Sequence, residues 1–401
     1  GIVFATARAI GSVGTADAIH ADFLRVRARS MNDFSRRKGL TSGPSSIVPG
    51  RARTGAVARG MRSAAIAGLM LAVTWSSPAF AQKTWNGGAG TGLWSSSGNW
   101  ANGVPSPSNV PIVFQGSVQT TTTNTYSTGT YSFIFAAGAS SFTVSGSAIN
   151  LRTNGFTLDS SNTVNVINNN LILTTGVTTI AGSGSNSTLR LTGVISGTGT
   201  LQMNQSRKIL ELAGNNTYSG TTDLFYNSSK TIFSGANSSN GVTQFTNGTA
   251  AFYGTSNGGI ASGDLRIGDG ATAGNPSFEV GGSGDISLVN NVVLSQAGAG
   301  PVTVSGSRNL TFTSGTLSVV YNSGASNLLT NNLDAGKAIT FNAVVIGTGT
   351  DTASTNRIWK VSGPGDYVFG GAIVGGGTAS ASFTANGTGI TRLNGTNTYT
   401  G

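Results

Sequence analysis

Two neighbouring segments decide the fold: Gly193-Val-Ile-Ser-Gly-Thr-Gly-Thr-Leu201 and Leu210-Glu-Leu-Ala-Gly-Asn-Asn-Thr-Tyr-Ser-Gly-Thr-Thr222. In both, apolar and polar residues alternate and glycine recurs every few positions. A period of two sends alternate side chains to opposite faces of a strand, whereas a helix needs apolar residues three or four apart. The same alternation runs through Tyr131–Phe135, Phe142–Val144, Thr163–Val166, Leu171–Leu173, Leu189–Leu191, Val302–Val304 and Leu310–Phe312. Turn residues bound each run, as strands require. No window of a dozen residues after residue 82 supports an amphipathic helix.

The strands belong to a repeat. Leu212-Ala-Gly-Asn-Asn-Thr-Tyr-Ser-Gly220 returns as Leu393-Asn-Gly-Thr-Asn-Thr-Tyr-Thr-Gly401. Thr143-Val-Ser-Gly-Ser147 returns unchanged as Thr303-Val-Ser-Gly-Ser307, and the run from Ile167 to Leu173 resembles that from Val289 to Leu294. The three offsets differ, so the later copies carry insertions. Short repeated units that cannot bury a core alone, yet tolerate insertions, point to a stacked solenoid. With coils of roughly 20–25 residues, the stretch after residue 82 makes on the order of 13–16 of them. Asn runs at turns (Asn168 to Asn170, Asn290-Asn291, Asn331-Asn332) are expected to stack and bond their amides from rung to rung and to supply left-handed turns.

Composition agrees and excludes much else. The 401 residues include 60 Gly but only 9 Pro, no Cys and one His, and 9% are charged. Collagen needs a strict three-residue glycine period and abundant proline. A disordered chain needs fewer apolar residues and more charge. Without Cys there is no disulfide, thiolate nucleophile or zinc–sulfur site. The formal charge of +10 is concentrated at one end. Residues 1–81 carry eleven Lys/Arg against three Asp, and residues 82–401 carry twelve against ten Asp/Glu. Nucleic-acid binding needs a clustered basic face. Beyond residue 82 the basic residues are scattered, so no nucleic-acid partner is expected.

The basic end reads as an export signal. Arg51, Arg53, Arg59 and Arg62 precede the apolar run Ala64 to Trp75, and Ala79-Phe80-Ala81 follows. Small residues at −3 and −1 place the cut between Ala81 and Gln82. The run is too short for a membrane span, which takes about 20 residues. Residues 1–30 read as untranslated or as an upstream extension, and 31–81 as an extended signal peptide starting at Met31, with Met61 as the other internal start. Residues 82–114 hold Trp85, Trp94 and Trp100 among Gly and Ser turns. They are expected to cap the open end of the β domain, since exposed sheet edges need covering. The other reading is an aromatic platform for sugars. Residues 115–401 form the solenoid, expected to be truncated at Gly401.

The repeat resembles the autotransporter-associated β-strand repeat: G-x-I-x-G-x-G-x-L, a short strand, then L-x-L-x-G-x-N-x-Y-x-G-x-T. One copy spans 193–222 and a second 371–401, although Phe383-Thr-Ala in the second weakens the G-x-L element and residues 225–285 match only in composition. The resemblance implies an all-β, right-handed parallel β-helix passenger. It further implies export through an outer-membrane translocator barrel, and a place on the surface of a Gram-negative bacterium or outside it.

Chemistry is sparse beyond residue 82. The only His is His20, which removes Ser–His–Asp, Cys–His and His-ligated metal sites. Two carboxylates suffice for a glycoside hydrolase. The closest pairs are Asp264/Asp269 and Glu279/Asp285, with Arg266 and Arg357 as candidate helpers. Solvated turn carboxylates explain them more simply. Gly281 to Leu288 resembles a single calcium-binding β-roll repeat, one residue short, and such sites need tandem copies. The sequence therefore assigns no catalytic residue, no cofactor and no metal. It leaves two classes: a non-enzymatic surface β-helix for adhesion, aggregation or support, touching glycans or its own kind, and a secreted polysaccharide-active β-helix. An envelope-anchored repeat protein with a different C-terminal sorting signal is a variant of the first.

Overall fold

The computed structural model describes residues 82–105, 109–225, 228–238, 240–254, 257–268, 274–296, 301–321, 327–348, 357–376 and 380–400. Ala81 and the whole expected leader lie outside these residues. The described chain is a parallel β-solenoid, as the period-two reading predicts.

One face is a column of twelve strands in chain order, from Thr121–Asn124 to Ala381–Ala385, each parallel to the next. Two further faces share the second sheet. Leu171–Leu173 and Val177–Ala181 are successive strands of one coil, and both pair with the single long strand Ile149–Leu158 of the coil before. Leu310–Tyr321 and Ala338–Thr348 turn the same corner. Coils thus contribute two or three short runs joined by turns: three strands in residues 187–203, two in residues 208–224. That is why the strands are short and the turn residues so frequent.

The column has fewer coils than expected, and coil length is uneven along it: Ile232 and Ala251 are 19 residues apart, Trp359 and Phe383 24. Gln202 and Asp223, partners in adjacent coils, are 21 residues apart, whereas Thr330 and Ser362 are 32 apart. The insertions inferred from the repeat offsets consume the difference.

Inward positions form a continuous apolar column. In Leu189–Leu191 and Leu210–Leu212 the leucines are buried and the residue between them is turned outward. Identical residues stack in register: Phe312, Phe341 and Phe369 lie ring on ring at 5.1 and 5.7 Å. Each fully buried Phe contributes roughly 1.5–3 kcal/mol relative to exposure.

The repeat motif proves to be a device for joining coils. Asn216 is buried, and its Oδ1 accepts from the Ile195 N–H at 2.9 Å, while the Thr217 N–H donates to the Ile195 carbonyl. In the second copy Asn397 Oδ1 accepts from the Ile373 N–H at 2.8 Å, and the Thr398 N–H donates to the Ile373 carbonyl. The Asn of G-x-N-T-Y therefore holds the Ile of G-x-I-x-G one coil earlier. Glycine is needed where those coils touch, because a Cβ on Gly214 would collide with the Gly193 carbonyl. The Thr-Val-Ser-Gly-Ser copies are equally alike: Ser145 Oγ and Ser305 Oγ each donate to a carbonyl one coil earlier at 3.3 Å, and Gly146 and Gly306 both have positive φ.

The asparagines of these runs bond from rung to rung, mostly to backbone rather than to each other, with Asn168 Oδ1 accepting from the Thr192 hydroxyl. Asn170 Oδ1 accepts from the Val194 N–H, Asn290 Nδ2 donates to the Ala261 carbonyl, and Asn331 Nδ2 donates to the Asp366 carbonyl. These asparagines do not adopt left-handed turns; among the described residues Asn102, Asn162 and Asn186 do.

The tryptophans lie in the first coil. Lys83–Trp85 pairs parallel with Val110–Phe114 on one side and antiparallel with Trp100–Ala101 on the other. Trp100 meets Trp85 and Trp94 edge-on at 4.9 and 5.6 Å, and Trp94 packs on Tyr131. All three indole N–H groups donate, to the Gln119 carbonyl, Thr122 Oγ1 and the Trp94 carbonyl.

Candidate functional site

The tryptophans offer no sugar platform. Trp85 and Trp94 are 0% exposed and Trp100 is 5% exposed, so no ring face is open. Asp264 forms an exposed ion pair with Arg266 at 3.2 Å, while Asp269 lies outside the described residues. Arg357 begins the strand Arg357–Ser362. Gln82 is exposed and directly precedes the first strand. Among the described residues no three His, Cys, Asp or Glu side chains gather to hold a metal ion.

The structure does concentrate polar chemistry at one place, around Glu279. Four consecutive strands of the twelve-strand face contribute: Thr249–Phe252, Ser277–Val280, Val302–Gly306 and Asn327–Leu333. Their ends and following turns line an open cleft of about 630 Å³ bordered by Tyr253, Glu279, Ser305, Ser307 and Asp334. Gly281, Gly282 and Gly306 also line it. A smaller hollow of about 130 Å³, lined by Tyr253, Ser283 and Asp285, adjoins it.

Glu279 projects outward and is held from two sides. Lys230 Nζ donates to Oε2 at 2.7 Å, and the Tyr253 hydroxyl donates to Oε1. The ammonium also lies 5.7 Å from the Tyr253 ring centroid. Partial burial disfavours the charged Glu279, but the bonds from Lys230 and Tyr253 outweigh it and keep the carboxyl below its ordinary range. Burial likewise works against the Lys230 charge, and Glu279 more than restores it, so the ammonium sits above its usual value. The Tyr253 hydroxyl is pushed up by burial and by its bond to Glu279. Such a carboxylate stays ionised at neutral pH. It is a hydrogen-bond acceptor with its partners already in place, and a poor proton donor.

Asp285 is fixed differently. The Asn309 backbone N–H donates to it at 3.0 Å and the Asn309 amide at 2.8 Å, holding the carboxyl low. The expected Glu279/Asp285 pair therefore shares one surface region through Tyr253, while each carboxylate has its own partners.

Sequence reasoning missed Lys230, Tyr253 and Asp334. Only the register of the coils places them beside Glu279, and residues 225–285 carry no clear repeat motif to set that register.

Comparison of the chain with protein-family models, curated proteins and solved structures finds no match. What the fold and the cleft define is a parallel β-solenoid with a polar groove on its twelve-strand face.

Proposed function

We propose that this chain is the β-helical passenger of an exported surface protein and acts by contact, in adhesion, aggregation or support. One observation carries the reading. The repeated motif residues, Asn216 with Ile195 and Asn397 with Ile373, are used to join coils. The sequence thus repeats what builds a rod, and the outward rows of Ser, Thr and Asn are what the rod offers to a partner. Single hydrogen bonds of this kind add only about 0.5–1.5 kcal/mol net. Multiple copies on one surface raise avidity by roughly 10²–10⁴. A translocator barrel in the outer membrane is the export partner in this reading.

The test displays the full chain on cells and on beads and scores cell–cell and bead–glycan adhesion. Adhesion that varies little with salt supports the proposal, because the net charge after residue 82 is near +2. Release of oligosaccharides from a polysaccharide panel, with no adhesion, favours the second reading, a polysaccharide-active enzyme. The feature favouring that reading is the carboxylate-bordered cleft at Glu279 and Asp334.

A further inference from the structure

We propose that the cleft beside Glu279 is a binding groove for an extended, uncharged oligosaccharide, lying along the solenoid axis. The inference rests on the contact reading above and assigns it a site.

Shape comes first. Tyr253, Glu279, Ser305 and Asp334 come from four stacked coils, so the cleft runs across the strands, along the direction in which coils stack. Strands stack about 4.8 Å apart, and four of them span roughly 14 Å. That length suits several linked sugar units and exceeds what a single small metabolite would fill.

The floor is low because it is glycine. Gly282 and Gly306 hold positive φ, and a Cβ on Gly306 would collide with the Val280 carbonyl. Side chains are therefore excluded there, and a ligand can approach the backbone closely.

The walls carry acceptors and donors suited to hydroxyl groups. Glu279 and Asp334 accept, and Ser305 and Ser307 both accept and donate. Asp334 and Ser307 are exposed at the rim. Tyr253 separates the main groove from the hollow beside Asp285, offering an aromatic edge to the apolar side of a sugar ring.

Charge selects the class. Glu279, Asp285 and Asp334 are matched by Lys230, Arg308 and Lys337. Lys230 binds Glu279, Arg308 Nε donates to the Gly282 carbonyl at the groove floor, and both Arg308 and Lys337 act on Asp285. A polyanion meets the two carboxylates that line the groove, Glu279 and Asp334, with no base among its lining residues. An uncharged polyol meets no such repulsion, and the bases around the groove leave little net charge to draw a polycation.

The experiment titrates the full chain with cellohexaose, maltohexaose and laminarihexaose, and with hexagalacturonate as the anionic control, by calorimetry and saturation-transfer NMR. Expected is binding of at least one neutral hexaose and none of hexagalacturonate. Ser307→Arg, which fills the rim from an exposed position, is expected to weaken that binding about tenfold or more, the loss of one or two good contacts. Asp334→Ala is a second variant at an exposed residue, and circular dichroism verifies both folds. The groove assignment is overturned by failure of all three neutral probes, by stronger binding of hexagalacturonate, or by both variants binding as the parent does. Adhesion of the displayed chain without hexaose binding removes the groove and leaves the contact reading. Binding followed by shortening of the hexaose keeps the groove and removes the contact reading.

Discussion

Lys230 and Glu279 are 49 residues apart in the chain, and Nζ and Oε2 meet at 2.7 Å across an intervening coil. The coil between them places Ala251 in the outward row, paired with Ile232 on one side and Glu279 on the other. Ala251 is nevertheless fully covered. A small residue at this one outward position leaves room for the ammonium, the Tyr253 ring and the carboxylate to meet above it.

This bridge is expected to be modest and pH-bounded. Its side chains are 29% and 32% exposed, so a double-mutant cycle of Lys230→Met and Glu279→Gln should give coupling of about 0.5–1 kcal/mol. Glu279 is lowered on folding, so its contribution is present above the ordinary value of 4.5 and is lost as pH falls below it. Lys230 is raised, so its contribution is present below 10.5 and is lost as pH rises through its folded value. Coupling measured by urea unfolding should be flat between those limits. Undiminished coupling at pH 3 would contradict the assignment.

How far the sequence reaches is clear from particular residues. Leu189–Leu191 and Leu210–Leu212 are strands with the expected side inward, because a half-buried strand is written in its own alternation. The coil partner of each strand is not written locally. Asn216 stands out as a motif residue, but that it serves Ile195 depends on a coil of 21 residues. The same limit hides the cleft. Glu279 and Asp285 are legible as neighbouring acids, whereas Lys230 and Asp334 reach that surface only through stacking, over coils whose lengths vary. The amides of Asn170, Asn290 and Asn331 were expected to find one another and found the backbone instead, whereas Asn186 does reach the Asn162 amide one rung away.

Loss of the coil-joining amide should be costly where it is buried. Asn216→Ala leaves the Ile195 N–H without its acceptor in the interior, a penalty of about 1–3 kcal/mol. Asn397 makes the same bond to Ile373 but is only partly buried, so Asn397→Ala should cost less. Chemical denaturation of the two variants side by side measures the difference. Equal and negligible losses would show that the motif Asn is not what joins the coils.

The motif tyrosine should resist ionisation. Burial pushes the Tyr218 hydroxyl up to about 12, against its bond with Thr222, and burial with Tyr126 nearby pushes Tyr131 up to about 12. Tyr367 is raised as well, by burial. Raised folded values mean stability that is intact below pH 10 and is lost as pH climbs toward and through 12. Spectrophotometric titration of the eight tyrosines should therefore show a late class that ionises together with unfolding. Tyr218→Phe should shrink that class and destabilise by about 1–3 kcal/mol, since Thr222 loses its buried partner. Simultaneous ionisation of all eight near pH 10 in the folded protein would refute the burial argument.

The export reading makes its own prediction at the first strand. Lys83–Trp85 is already committed to the fold, with Thr84 and Trp85 paired to both Trp100–Ala101 and Val110–Phe114. Trp85 is fully buried, and Lys83 Nζ donates to the Asn102 carbonyl at 2.5 Å. A cut between Ala81 and Gln82 would fall just outside this paired segment and leave every one of these contacts intact. A cut two or three residues later would remove backbone partners of Val110–Phe114 and uncover the tryptophan cluster. The cut is placed by the small residues at Ala79 and Ala81, and the pairing of Lys83 allows it as it allows any earlier one. Expressed with its leader in a Gram-negative host, the chain should yield a mature N-terminus at Gln82 by terminal sequencing. Ala79→Asp with Ala81→Asp, which removes the small residues at −3 and −1, should leave the precursor uncut. Recovery of folded extracellular protein that still carries residues 31–81 would overturn the cut between Ala81 and Gln82 while leaving the solenoid untouched.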